Sequence, residues 1–207
     1  HQCFRRQRQM CIRDRSNGQT FVACDTPSTA PVKNNDRFLV GDTTGDGALD
    51  LIHIYPNGAY ARIDVYPGIP GSCLFQTPFS TDTTAVGLPT YSWPTDANGD
   101  GKVDIVFGQT SSSQVTLIPY FSNGNGFDEG EQNNISKPEN QSIFPMDVNG
   151  DGMIDIVQSY NTGGSRLYFD TWIANGTGYR SGASSNFPYP ANTVGIWPMD
   201  ANGDGMS

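Results

Sequence analysis

Short apolar runs alternate with polar, glycine-rich segments along most of the chain, and the runs come in pairs. The paired runs are 51–55 with 61–66, 105–107 with 115–121, and 156–157 with 167–173. They are rich in β-branched and aromatic residues and are bounded by Gly, Asn and Ser, which is typical of strands. No segment has a sustained 3.6-residue periodicity, so helix is a minor component. The pattern predicts an all-β protein.

An acidic nine-residue segment precedes each pair of runs and repeats along the chain. It reads DTTGDGALD at 42–50, DANGDGKVD at 96–104 and DVNGDGMID at 147–155, and a truncated fourth copy, DANGDGMS, occupies 200–207. The first aspartates of successive copies are 54, 51 and 53 residues apart. A period near 50 residues with about four short strands per unit is typical of a propeller blade. We predict a partial β-propeller of about three four-stranded blades plus the start of a fourth.

The repeats occupy residues 36–207, which leaves two other segments. Residues 16–35 are predicted to be a linker or an incomplete preceding blade. Residues 1–15 hold five Arg and one Asp, a net charge of +4, whereas the remaining 192 residues hold seven basic and 20 acidic residues, a net charge of −13. The basic segment is either an arm for an acidic partner or, as we favour, a non-native or disordered end. Missing blades of the same parent chain are expected to complete the ring.

Composition excludes several classes of protein. The formal net charge of −9 argues against nucleic-acid binding, and no apolar stretch is long enough to insert in a membrane as a helix. The four cysteines, at 3, 11, 24 and 73, form no CxxC or Cys/His cluster, which argues against zinc. Whether Cys24 and Cys73 form a disulfide is left open.

The acidic segment has the spacing of a cation-binding loop. Oxygen ligands recur at its positions 1, 3, 5 and 9, a backbone carbonyl is expected at position 7, and glycine at position 6 allows a sharp turn. A hard, all-oxygen ligand set suits Ca²⁺ far better than zinc or copper. The predicted ligands are Asp42, Thr44, Asp46, Ala48, Asp50, Asp96, Asn98, Asp100, Lys102, Asp104, Asp147, Asn149, Asp151, Met153, Asp155, Asp200, Asn202 and Asp204.

We expect one Ca²⁺ for each complete loop, about three in total, and a fourth if the chain continues. The first loop has Thr44 at position 3, a weaker ligand than asparagine, so we expect a lower affinity there. An EF-hand is excluded because position 12 is His53, Phe107 or Gln158 instead of glutamate, and because a strand follows. The alternative of Asx-rich turns without a metal is disfavoured by the four matching copies.

The loop, its flanking strands and a closing turn that ends in an aromatic (Phe75, Phe127 or Tyr179) together resemble the FG-GAP or VCBS-type repeat. That repeat is the calcium-binding blade also found in integrin alpha-chain propellers. The Trp/Phe-Pro-Met-Asp variant at 144–152 and 197–205 is most similar to repeats of bacterial toxin-complex or Rhs-type surface proteins. The resemblance implies that the loop joins the first two strands of a blade and that its calcium stabilises the blade. It also implies that partners bind the faces of the ring.

We predict a non-catalytic interaction or scaffold module of a larger secreted or cell-surface protein, bacterial in origin, with a protein or glycan ligand. An enzyme is disfavoured because His53 lies in an apolar strand, where a packed or exposed strand residue is expected rather than a general base, and because nothing pairs with Asp64 or Asp170. The alternative is a carbohydrate-binding propeller, or an accessory part of a polysaccharide-degrading enzyme, in which Trp172 or Tyr60 stacks on sugars.

Overall fold

The computed structural model describes residues 9–16, 21–31, 35–72 and 74–188. These residues form strands and turns with no helix, so the all-β prediction is confirmed. Within this part of the chain, no helix is long and apolar enough to cross a membrane. Cys73, and with it the Cys24–Cys73 pairing, lies outside the described residues, as does the fourth loop copy at 200–207.

An antiparallel hairpin precedes the repeats. It consists of β1 (Gln9–Ser16) and β2 (Phe21–Pro31), with a register irregularity between Ile12 and Asp14. The hairpin crosses the boundary between the predicted basic segment, 1–15, and the predicted linker.

Three open antiparallel sheets follow; the first and third are meanders in which strands adjacent in sequence are paired, whereas in the second the last two strands both pair with the strand before them. The first sheet contains β3 (Arg37–Gly41), β4 (Asp50–Asn57), β5 (Tyr60–Tyr66) and β6 (Phe79–Val86). The second contains β7 (Tyr91–Thr95), β8 (Asp104–Thr110), β9 (Gln114–Ser122), β10 (Phe127–Glu129) and β11 (Asn133–Ser136). The third contains β12 (Ser142–Met146), β13 (Asp155–Tyr160), β14 (Arg166–Ala174) and β15 (Tyr179–Pro188). Each sheet has the strand content of a propeller blade.

The outer strand of the second sheet differs from its counterparts because it is split in two. Both β10 and β11 pair with β9, and residues 130–132 lie between them. At Gly130 a side chain would collide with the ring of Phe121 and with the carbonyl of Thr177, because its Cβ would lie 2.4 and 2.6 Å from them. The interruption therefore allows Thr177, in the turn between β14 and β15 of the third sheet, to lie close to Gly130.

The second strand of each sheet is buried on both faces. The first five residues of β4, of β8 and of β13 are all buried. A strand covered on both faces has a continuous apolar run in place of an alternating pattern. This explains why each acidic loop is followed directly by two or three consecutive apolar residues.

The chain divides into two compact units, His1–Leu88 with Asn123–Gly126, and Pro89–Ser122 with Phe127–Ser207. The first contains the first sheet, whose buried side chains come mainly from β4 and β5. The second contains the second and third sheets, which share one hydrophobic core. That core is formed by Ala97, Val106, Val115, Leu117, Ile135, Ile143, Ile156, Ala174 and Tyr179.

Candidate metal-binding loops

Each complete acidic loop joins the first and second strands of its sheet, as the resemblance implied. The chain reverses within the loop through two glycines, at positions 4 and 6, that have positive φ angles. In the second loop these are Gly99 (φ +78°) and Gly101 (φ +84°), and in the third they are Gly150 (+75°) and Gly152 (+86°). Glycine adopts this conformation without the steric cost that a Cβ imposes. The glycines turn several backbone N–H groups toward the inside of the loop.

The carboxylate at position 1 accepts hydrogen bonds from these inward amides. Asp96 accepts one from the Gly99 N–H (2.7 Å) and one from the Gly101 N–H (2.9 Å). The first and third loops repeat the arrangement, with Asp42 bonded to Gly45 and Gly47 and Asp147 bonded to Gly150 and Gly152. The turn is therefore an anion-binding nest for its own first residue.

Positions 3 and 5 extend the same pattern toward the end of the loop. In the second loop the Asn98 side chain accepts from the Asp100 amide, and the Asp100 carboxylate accepts from the Lys102 amide, both at 2.9 Å. The third loop has the equivalent bonds, from Asp151 N–H to Asn149 (2.8 Å) and from Met153 N–H to Asp151 (2.9 Å). In the first loop Thr44 instead donates its hydroxyl proton to Asp42 at 3.3 Å. Position 3 thus contributes less to the first loop.

The carboxylate at position 9 is fully buried and connects two distant parts of the backbone. Asp104, 0% exposed, accepts from the Ala97 amide (3.0 Å) through one oxygen and from the Ser122 amide (2.7 Å) through the other. The third and first loops match, with Asp155 bonded to Val148 and Ala174, and Asp50 bonded to Thr43 and Gly68. We refer to the amide bonds of positions 1 and 9 together as the loop frame.

Position 9 was predicted only as a metal ligand, and its part in the loop frame was not predicted. The signal available in the sequence is its location directly before two or three consecutive apolar residues of a buried strand, where a carboxylate must find hydrogen-bond donors. The donors to position 9 are backbone amides of residues of different types, so the sequence does not indicate which residues make these bonds.

Burial and neighbouring charge shape the electrostatics of these carboxylates. Burial raises the pKa of Asp104 to about 7; the two amide bonds oppose this rise, and the negative charges of Asp100 and Asp96 add to it. The pKa of Asp155 is raised for the same reasons, with Asp151 and Asp147 as the neighbouring charges. The carboxylates at positions 1, 5 and 9 of one loop therefore repel one another, which a cation would relieve.

Position 7 differs between the two loops of the second unit. The Lys102 ammonium makes a hydrogen-bonded ion pair with Asp100. Although burial opposes it, the hydrogen bonds from Lys102 lower the pKa of the Asp100 carboxyl. The third loop has the uncharged Met153 at this position. The second loop thus holds an internal cation that the third loop lacks.

The donor chemistry of the loops fits a hard cation, since every predicted side-chain ligand offers oxygen. In the part of the chain that the structure describes, however, no group of three or more His, Cys, Asp and Glu side chains is arranged to hold a metal ion. The carboxylates are instead directed to backbone amides. A carboxylate has about four lone-pair sites on its two oxygens. In the second and third loops the carboxylates of positions 1 and 9 each accept two or three hydrogen bonds, which leaves acceptor capacity for a cation. In the first loop Asp42 and Asp50 each accept four.

The residues considered for catalysis are held in structural contacts. His53 is 3% exposed, stacks between the rings of Phe38 and Tyr55 at 4.5 and 4.6 Å, and places its Nε2 2.9 Å from Asp36. The prediction that it is a packed strand residue is confirmed.

The expectation that Asp64 and Asp170 lack partners is wrong. Asp64 accepts a hydrogen bond from the Tyr55 hydroxyl (3.0 Å), and Asp170 accepts one from the Tyr160 hydroxyl (3.1 Å). In both cases the tyrosine lies on the neighbouring strand, which local sequence spacing does not show. Of the two aromatics considered for sugar binding, Trp172 is partly buried against the shared core, whereas Tyr60 is 49% exposed.

Comparison with known families bears on the second and third loops. Residues 96–158 match the model of a family described as an FG-GAP-like repeat. The match begins at the first aspartate of the second loop and ends within β13, beyond the third loop. No curated protein matches the chain. FG-GAP repeats build propeller-like protein-interaction modules that are generally non-catalytic and typically occur in extracellular proteins. Residues 96–158 of this all-β protein are therefore similar to an FG-GAP-like repeat.

Proposed function

We propose that this chain is a calcium-binding interaction or scaffold module, without catalytic activity, of a larger secreted or cell-surface protein of bacterial type. The observation that supports it most is the recurrence of one acidic loop, with one loop frame, at the same strand junction in all three blade-like sheets. The same loop in every repeat suits a structural role in a module without catalytic activity. Missing blades of the parent chain complete the ring in this proposal.

Each complete loop holds one Ca²⁺ in this proposal, through the side-chain oxygens of positions 1, 3, 5 and 9 and the carbonyl of position 7. Bound calcium supplies two positive charges that offset the mutual repulsion of the loop carboxylates. The loop frame orients those carboxylates, and β4, β8 or β13 anchors the loop to the core. The cation therefore stabilises its own blade and performs no catalytic step.

The principal test is thermal unfolding of the full chain in EDTA, in CaCl₂ and in MgCl₂. We expect the midpoint to rise with calcium concentration and to rise less with magnesium, because binding to the folded state stabilises it by mass action. Asp100→Ala and Asp151→Ala should each lose one bound Ca²⁺ in equilibrium dialysis. Asp82→Ala, which removes the same charge from an exposed strand position, should retain the full number. Full metal content in both loop variants would disprove the ligand assignment.

A carbohydrate ligand is the second candidate for the partner, and Tyr60 is the observation that favours it. Its ring is 49% exposed and lies opposite Val86, 69% exposed, across β5 and β6. An exposed ring beside an apolar neighbour is a surface on which a sugar can stack. Glycan-array binding that Tyr60→Ala abolishes would favour this ligand, whereas binding to a protein that is unaffected by competing glycans would favour the interaction module.

A further inference from the structure

We propose that the second and third loops bind calcium cooperatively, through a single peptide group shared between them. This inference rests on the proposed function and concerns how its sites are regulated. It starts from a backbone hydrogen bond between the two loops, in which the Ile154 amide donates to the Asp96 carbonyl at 2.8 Å. Ile154 is position 8 of the third loop, and Asp96 is position 1 of the second.

The donor in this bond belongs to the same peptide group as a proposed calcium ligand. The carbonyl of Met153, position 7, and the N–H of Ile154 are the two ends of one peptide unit. The peptide bonds of the described residues are all trans, so the carbonyl and the N–H point in opposite directions. A cation on the carbonyl polarises the amide and makes its N–H a stronger donor. Calcium in the third loop would therefore strengthen the bond that holds Asp96.

Side-chain packing makes the same connection. The Met153 side chain lies against Gly99, position 4 of the second loop, where a Cβ would be 3.1 Å from the Met153 Cγ. Met153 also packs against the core that the second and third sheets share. Movement of either loop would therefore be transmitted to the other through a contact that has no free space.

Tyr179 makes a further connection between the third loop and the second sheet. Its hydroxyl donates to the Ile154 carbonyl at 3.4 Å, and its amide donates to the Asn133 side chain of the second sheet at 2.8 Å. Burial, and next the charges of Asp104 and Asp155, raise the pKa of the Tyr179 hydroxyl far above its usual range. The Tyr179 hydroxyl therefore stays protonated and keeps its proton for the Ile154 carbonyl.

These contacts predict positive coupling. The first calcium orders the residues that connect the two loops. Less conformational entropy is therefore lost when the second ion binds. Coupling between protein sites is typically about 5-fold to 150-fold in affinity. We expect the low end of this range, about five-fold, since one hydrogen bond and one packed side chain carry most of the connection.

The test is calorimetric titration of the full chain with CaCl₂, using variants that inactivate one loop at a time. Asp100→Asn and Asp151→Asn remove a charged ligand but retain the amide oxygen that accepts the loop N–H, so the fold is kept. We expect each variant to weaken calcium binding at the other loop by about five-fold. Asp46→Asn, in the first loop, is the matched control and should leave the mutual effect of the second and third loops intact.

Met153→Ala tests the packing part of the connection, because it removes the side chain and retains the carbonyl. The mutual effect should fall from about five-fold to about two- to three-fold, because the bond from Ile154 to Asp96 remains, while Met153→Leu should preserve the full effect. Calcium binding with equal and independent affinities in the wild type would overturn the coupling and leave the proposed function standing. The absence of calcium binding at any loop would overturn both.

Discussion

The second and third loops have the same frame but use position 7 differently. In both, the carboxylates of positions 1 and 9 accept the same set of backbone amides. In the second loop Lys102 turns to Asp100 in its own loop, whereas in the third Met153 packs against Gly99 of the neighbouring loop. The loop frame fixes the backbone at position 7. The side chain at that position can therefore contact either its own loop or the neighbouring loop.

The largest expected effect comes from breaking the part that the two loops share. Asp104→Ala leaves two buried amides without an acceptor, and Asp155→Ala leaves one buried and one partly buried amide without an acceptor. We expect each to lower the free energy of unfolding by about 2 to 3 kcal/mol, measured by urea denaturation in EDTA. Asp82→Ala, which breaks an exposed ion pair with Arg62, should cost less than about 1 kcal/mol. Loss of stability at Asp104 but not at Asp155 would show that the frames are not equivalent.

The turn glycines should show a smaller effect, again equal in both loops. Gly101→Ala and Gly152→Ala place a Cβ in open space but at φ angles of +84° and +86°. The cost is then backbone strain alone, about 1 to 2 kcal/mol. Gly164→Ala is the control, because it also has open space but no positive φ, and it should be neutral or slightly stabilising. A comparable loss at Gly164 would contradict the strain argument.

Lys102→Met should make the second loop behave like the third. Removal of the ammonium frees Asp100 from its ion pair, so calcium no longer competes with an internal cation. We expect the affinity of this loop to rise by up to about five-fold, because a surface ion pair contributes little and calcium no longer has to displace it. Lys137→Met is the control, since the Lys137 ammonium bonds the Ser111 carbonyl outside the loops. An unchanged affinity in isothermal titration would exclude the competition.

The smallest effect extends the comparison to the first loop. Thr44→Asn restores the amide oxygen found at position 3 of the other two loops. We expect an increase of about three-fold in the calcium affinity of that loop, because ligand type tunes such sites. Titration in an Asp100→Asn, Asp151→Asn background isolates this loop. A decrease would indicate that the hydrogen bond from Thr44 to Asp42 matters more than the ligand.

The strands and loops could be predicted because their signals are local. A spacing of oxygen-bearing side chains at positions one, three, five and nine, followed by an apolar run, is contained within about 15 residues. The same reasoning could not find the split between β10 and β11. That split depends on Gly130 meeting Phe121 and Thr177, which lie 9 and 47 residues away in sequence.

The residue types of the candidate site could be predicted from the sequence, but the hydrogen bonds that connect them to the rest of the chain could not. Aspartate at position 9 is evident from the repeat, yet its partner amides at Ser122 and Ala174 are 18 and 19 residues away. The bond from Ile154 to Asp96 joins two copies of the repeat through backbone atoms. Backbone partners carry no residue identity, so only three-dimensional structure could reveal them.

The buried carboxylate of position 9 helps to hold each sheet together. Asp104 connects the chain at 97 to the chain at 122, which makes it a crosslink around the rest of its loop and the two strands that follow, β8 and β9. A disulfide achieves such ring closure by restricting the unfolded chain and needs an oxidising environment. The carboxylate clasp acts only in the folded state and is indifferent to redox conditions. Because every sheet has its own clasp, a repeat can be duplicated or deleted in evolution without any change to the clasps of its neighbours.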